Sequence, residues 1–146
     1  MEIKRKAGVV WKGDSRSGSG LITTESRALY EQPYTFKTRF DGDETSGTNP
    51  EELIAAAHAA CFSMALAGIL KRNDYESKQI ETNATCTIVS TDSGYEISRM
   101  QLHVRAQVPS IEETAFQKLV AEAGKGCPVS KLLHKGLNIE IEAVLA

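Results

Sequence analysis

The residues of this chain best suited to chemistry are three cysteines, Cys61, Cys86 and Cys127, and each stands in different company. Cys127 lies in Gly124-Lys125-Gly126-Cys127-Pro128-Val129-Ser130, where Pro128 suits the first position of a short helix and Cys127 its N-cap. Unpaired N–H groups and the positive end of the helix dipole favour a thiolate there. A small residue in a tight turn would give the same pattern. Cys61 falls in Ala57-His58-Ala59-Ala60-Cys61-Phe62-Ser63-Met64, inside a long apolar run. Apolar neighbours raise a thiol's pKa, so Cys61 needs a cation nearby to react. His58, three residues earlier on nearly the same helix face, either pairs with it or is an ordinary hydrogen-bonded core histidine. Cys86 alternates in step with Ala84 and Ile88 and reads as buried packing, because a free cysteine behaves as a small hydrophobe.

Other site chemistries find less support. A zinc site would have to use His58, Cys61, Cys127 and His134, and the close ligand pair such as C-x2-C is missing. No G-x-S-x-G elbow supports a serine hydrolase. No metal and no cofactor are expected. An odd number of cysteines also makes a poor secreted disulfide framework, while cytosolic thiols are usually reduced.

The elements that must position these thiols are readable in outline. Residues 8–11 and 21–24 are β-prone, with Gly18-Ser19-Gly20 marking a turn or bulge between them. Tyr34-Thr35-Phe36-Lys37-Thr38-Arg39-Phe40 alternates, so a strand is expected there, followed by a polar loop over 41–48. Asn49 suits an N-cap, Pro50 the first helical position and Glu52 the third, which together make a capping box. From 53 to 70 the strongly polar residues are His58 and Ser63, so the helix is expected to be buried all round, with its alanines admitting close neighbours. Strands at 79–90 and 95–108 flank a hairpin turn at Thr91-Asp92-Ser93-Gly94. A helix at 111–123 is expected to break at Gly124 and Gly126, and a short helix at 128–134 and a strand at 139–144 close the chain. Strands grouped in this way indicate an α+β fold of antiparallel sheets packed on a long central helix.

Length and charge set the outer limits. The chain's 146 residues suit one domain, 1–146, large enough to bury roughly 70% of its extended surface without staples. Seventeen Lys+Arg against nineteen Asp+Glu give a net charge of −2, which argues against a nucleic-acid partner. No stretch is expected to span a membrane, and Met1-Glu2-Ile3-Lys4-Arg5-Lys6 lacks a signal peptide's apolar core. A cytoplasmic protein is the expectation.

Three segments together resemble a known family over nearly the whole chain. They are Gln32-Pro33-Tyr34-Thr35-Phe36-Lys37-Thr38-Arg39-Phe40, the run from Gly47-Thr48-Asn49-Pro50-Glu51 through His58-Ala59-Ala60-Cys61-Phe62-Ser63-Met64-Ala65-Leu66, and Gly126-Cys127-Pro128-Val129-Ser130. They look like the osmotically inducible protein C family, the sister branch of the organic hydroperoxide resistance proteins, and Thr38-Arg39-Phe40 resembles the former branch. The resemblance implies an intertwined α+β homodimer acting as a thiol peroxidase, with Cys61 peroxidatic and Cys127 resolving. It also implies an arginine and a glutamate near the peroxidatic sulfur, which map onto Arg39 and Glu51. Arg16, in an earlier glycine-rich loop, is the alternative arginine, because the sister branch takes its arginine from such a loop.

Glu51 and Cys61 are ten residues apart, a rise of roughly 15 Å along one helix. They cannot meet within that helix, so one site needing both would draw Glu51 from a second copy. The implied reaction reduces an organic hydroperoxide, hydrogen peroxide less well, through a Cys61 sulfenic acid and a Cys61–Cys127 disulfide that an external dithiol reopens. Two readings of other classes remain at this point: a small-molecule-binding stress module with incidental thiols, and a zinc-binding one.

Overall fold

A computed structural model of the chain describes residues 1–41 and 46–146. The middle of the expected polar loop, residues 42–45, lies outside the described residues. The chain divides into two compact units, Met1–Leu53 and Ile54–Ala146.

The first unit is a three-stranded antiparallel sheet in the order β1-β2-β3, formed by Ala7–Lys12, Ser19–Thr24 and Gln32–Thr35. Asp14 organises the β1–β2 turn, its carboxylate accepting from the Arg16 and Ser17 N–H groups and the Ser17 hydroxyl. Gly20 is required where Trp11 and Tyr34 stack at 5.2 Å between ring centroids, because a Cβ there would lie 2.2 Å from the Tyr34 ring. The expected strand over 34–40 is corrected: β3 ends at Thr35, and Phe36–Phe40 is a short helix, α1. The cause is local. Thr35 N-caps the turn, accepting from the Thr38 N–H at 3.1 Å, while the Thr35 N–H donates to Thr38 Oγ1 at 2.9 Å. Hydroxyl capping outweighs the alternation of the aromatics, and Phe36 and Phe40 now meet at helical spacing, 4.6 Å apart.

The long helix α2 runs Pro50–Arg72. Its start follows the expected capping: Asn49 Oδ1 accepts from the Glu52 N–H at 2.8 Å, and the Thr48 hydroxyl donates to the Glu52 carboxylate. Burial all round is corrected. In the second unit His58, Phe62, Leu66, Ile69 and Leu70 form the buried stripe, whereas Ala56, Ala57, Ala60 and Met64 are exposed, Met64 to 77%. Within this chain a helix seated on one sheet buries one face. The expectation that no stretch is long and apolar enough to span a membrane is also corrected. By length and composition α2 is, with a mean hydropathy of 2.0 over its 18-residue window, yet its buried stripe belongs to the protein core.

The rest of the second unit is a sheet of β4 (Gln79–Thr91), β5 (Gly94–Gln107) and β6 (Asn138–Leu145), with β5 central. β4 and β5 form the expected hairpin, and Gly94 takes the positive φ of +129° its turn requires. β6 pairs parallel to β5, which corrects the expectation of antiparallel pairing throughout. The intervening helices α3 (Glu113–Gly126) and α4 (Pro128–Leu133) form the crossover that a parallel neighbour needs. α3 runs past Gly124, which was expected to break it, and ends at Gly126, the second expected breaker. At Gly124 an added Cβ would sit 2.8 Å from Ile141 of β6, so the glycine serves close packing of helix on strand. Met100, Leu102, Val104 and Ala106 of β5 join Phe116, Leu119, Val120 and Ala123 of α3 in the core.

Candidate active site

Two of the three cysteines meet. Cys61 Sγ and Cys127 Sγ are 3.3 Å apart, although 66 residues separate them in the chain. Each arrives from a helix. Cys61 lies one position before the core residue Phe62 on α2, at the border of the buried stripe, and remains partly exposed. Cys127 terminates α3 and N-caps α4, with Pro128 opening the shorter helix, and is fully buried. Free N–H groups at the start of α4 converge on the pair: those of Val129 and Ser130 reach Cys127, and that of Val129 reaches Cys61 as well.

The two sulfurs differ in proton affinity. Burial pushes the Cys61 thiol up, and the adjacent Cys127 sulfur adds to the rise against the Val129 N–H. Burial also opposes ionisation at Cys127, but the Ser130 N–H, the Ser130 hydroxyl, Cys61 and the Val129 N–H together hold its thiol below the usual range. Of the two, Cys127 is the thiol held lower, as the helix-end argument from sequence anticipated. Access runs the other way. Cys127 has 0% exposure, and Cys61 is the sulfur an incoming molecule can touch.

Sequence reasoning missed one partner. His58 does not pair with a cysteine; its Nε2 lies 2.8 Å from Ser130 Oγ, and both residues are buried. In the sequence Ser130 is only the end of the Cys-Pro-Val-Ser string. A buried histidine one helical turn from Cys61 was the available signal, but its partner is 72 residues away and no local spacing reveals it. Cys86 sits half-buried in β4, opposite Met100 in the β4–β5 register.

The other two candidates come together in the first unit. α1 carries Arg39 to Glu51 in the first turn of α2, and the contact is forked: Nε lies 3.0 and 3.1 Å from the two carboxylate oxygens, and Nη2 lies 2.6 Å from Oε1. Glu51 is 7% exposed, while the Arg39 side chain keeps 37% of its surface open. A buried carboxylate thus fixes the guanidinium, which also lies 5.0 Å from the centre of the Phe40 ring. Arg16 makes a different contact, its guanidinium 5.7 Å from the centre of the Phe36 ring. Among the described residues no cluster of three or more His, Cys, Asp or Glu side chains is placed to hold a metal ion.

Comparison with known proteins supplies a frame for this geometry. Residues 41–142 match the family model described as OsmC-like protein. The chain is 41% identical over 142 residues to peroxiredoxin OsmC of Escherichia coli K12, covering 97% of this chain and 98% of that protein. It is 31% identical to the organic hydroperoxide resistance protein OhrB of Bacillus subtilis 168, over 90% and 94% of the two chains. Among solved structures, OhrB of Bacillus subtilis superposes with a TM-score of 0.71 at 26% identity, over 95% and 98% of the chains. An OsmC-like protein from Mycoplasma pneumoniae gives 0.78 at 19% identity over 100% and 99%, a likeness of fold.

Proposed function

The chain belongs to the OsmC-like family, and on that footing we propose a thiol-dependent peroxidase that reduces organic hydroperoxides to alcohols, with hydrogen peroxide a poorer substrate. The observation that carries the reading is the pair of sulfurs 3.3 Å apart, one reachable and one fully buried. The reachable sulfur is the attacker. Cys61 thiolate displaces the alcohol from the terminal peroxide oxygen, the O–O bond breaks, and Cys61 becomes a sulfenic acid. Cys127, already the more acidic thiol, attacks the Cys61 sulfur and expels hydroxide, which leaves as water once protonated. An external dithiol reopens the disulfide. The apolar surroundings of Phe62 and Met64 suit an alkyl or aryl group on the substrate.

Cys61 needs help to ionise, since its burial favours the thiol. Arg39, oriented by Glu51, is the group proposed to supply it, by stabilising the thiolate and polarising the peroxide. Arg39 is favoured over Arg16 because it is the arginine bonded to Glu51. On the continuous α2 helix Glu51 and Cys61 are separated by a rise of roughly 15 Å. The site is therefore proposed to be composite, with Arg39 and Glu51 given by the second copy of a homodimer. The exposed Ala56, Ala57, Ala60 and Met64 offer a thin apolar face for that copy. A cytoplasmic location in oxidative or osmotic stress defence completes the proposal; neither a membrane nor a nucleic acid takes part.

One equivalent of an alkyl hydroperoxide, followed by mass spectrometry of the digested protein, tests this. The expected product is a Cys61–Cys127 disulfide, absent in Cys61→Ser and retained in Cys86→Ser. Thiols that survive the hydroperoxide unreacted would overturn the reading.

A further inference from the structure

Behind Cys127 a hydrogen-bond chain leads to a residue that the peroxide chemistry leaves unused. His58 is 0% exposed and Ser130 is 4% exposed, so no bulk water orients either side chain. His58 Nε2 stands 2.8 Å from Ser130 Oγ, and the Ser130 hydroxyl and N–H both reach the Cys127 sulfur. His58 Nδ1 has no hydrogen-bond partner among the described residues. Burial holds the imidazole below its usual pKa, so it is neutral and carries one N–H.

The position of that proton decides what Ser130 can do. A proton on Nδ1 would strand a buried donor, a costlier arrangement than a bare lone pair, and would turn Nε2 into an acceptor for the Ser130 proton. Ser130 would then have only lone pairs to offer Cys127. A proton on Nε2 is donated to Ser130 Oγ, and the single Ser130 proton is free to point at the Cys127 sulfur. The second arrangement satisfies every donor in the chain.

We infer that His58 is a positioning residue for the resolving thiol: its Nε2–H fixes the Ser130 hydroxyl so that the hydroxyl proton points at Cys127 Sγ, the sulfur that closes on Cys61. The role in turnover rests on the peroxidase reading; the tuning of Cys127 does not. The resolution step balances without another reagent. The Cys127 thiolate forms the S–S bond, the Cys61 S–O bond breaks, and the departing hydroxide takes a proton from solvent to become water.

Thiolate absorbance near 240 nm, titrated in Cys61→Ser/Cys86→Ser protein against the same protein lacking Cys127, reports this sulfur without peroxide. Cys61, the other titratable group in contact with it, is absent from that background. Lys125 and Lys131 are exposed and unchanged in every variant. The expected inflection lies below the ordinary thiol value of about 8.5. His58→Leu and Ser130→Ala each raise it by about one pH unit, a tenfold loss of thiolate at neutral pH, while His58→Gln, which keeps an N–H donor, stays near the parent. In the protein with both redox cysteines, His58→Leu slows disulfide closure about tenfold at pH 7. Trapping of the Cys61 sulfenic acid in a Cys127→Ser background keeps its rate. An unchanged inflection in His58→Leu or in Ser130→Ala, or His58→Gln behaving as His58→Leu does, would overturn the inference. A low inflection in protein that ignores hydroperoxide would instead overturn the peroxidase reading and leave the tuning of Cys127 standing.

Discussion

At the scale of single residues, the proposed chemistry divides labour between two sulfurs by access and by acidity, and these properties point opposite ways. Cys127 ionises more readily but is sealed; Cys61 is reachable but holds its proton. The proposal has a guanidinium brought to Cys61 resolve the conflict, which makes the Arg39–Glu51 fork testable. Glu51→Gln keeps the size of the side chain and removes the charge that orients Arg39. Hydroperoxide consumption should fall about 100-fold in kcat/KM, the scale of losing one preorganised electrostatic contact. His58 makes a separate prediction about stability. Its folded-state pKa is depressed by burial, so the unfolded chain binds that proton more tightly. The stabilisation is complete above the unfolded value of about 6.5 and is lost as pH falls below it. Urea midpoints measured from pH 8 to pH 5 should decline in the parent protein, and more shallowly in His58→Gln. Parallel curves would contradict the assignment of a buried neutral imidazole.

At the scale of elements, α2 does most of the positioning, and its two faces serve different ends. The stripe His58, Phe62, Leu66 and Leu70 enters the core, so Phe62→Ala should cost about 3–5 kcal/mol in urea unfolding through cavity formation. A loss under 1 kcal/mol would mean that Phe62 is less tightly packed than its 0% exposure indicates. Much of this was legible from the residues alone. Asn49 and Pro50 announced the helix start, Pro128 placed Cys127 at a helix end, and the turn signal Thr91-Asp92-Ser93-Gly94 marked the β4–β5 hairpin. Three features were not legible: one turned on a local cap that the alternation masks, and two on contacts or faces beyond the local window. Phe36–Phe40 alternates like a strand, but the paired hydroxyls of Thr35 and Thr38 close a helical turn. Gly124 looked like a terminator, yet Ile141 of a later strand required its missing Cβ. The apolar circumference of α2 suggested burial on every side, because composition does not distinguish a face buried by its own chain from one left to another molecule.

At the scale of the whole molecule, the same circumference turns from an anomaly into an argument. A face of Ala56, Ala57, Ala60 and Met64 exposed on one chain is small enough for a second helix to approach closely. The family resemblance was legible from three short segments and carried the identities of Cys61, Cys127, Arg39 and Glu51. The residues themselves added the helical rise that keeps Glu51 away from Cys61 on the same chain. These two lines combine into a genetic test of the composite site. Glu51→Gln protein retains Cys61 but offers its partner no orienting carboxylate; Cys61→Ser protein retains Glu51 but has no attacking sulfur. Each homodimer should therefore be impaired at both of its sites. In a mixed dimer, the site that pairs Cys61 from the first protein with Glu51 from the second is intact, and the other carries both lesions. Random exchange makes about half the dimers mixed, each with one working site of two. Co-refolding equal amounts should then restore about a quarter of the parent activity. A site built within one chain predicts the opposite: mixing two defective proteins would leave activity at the average of the two.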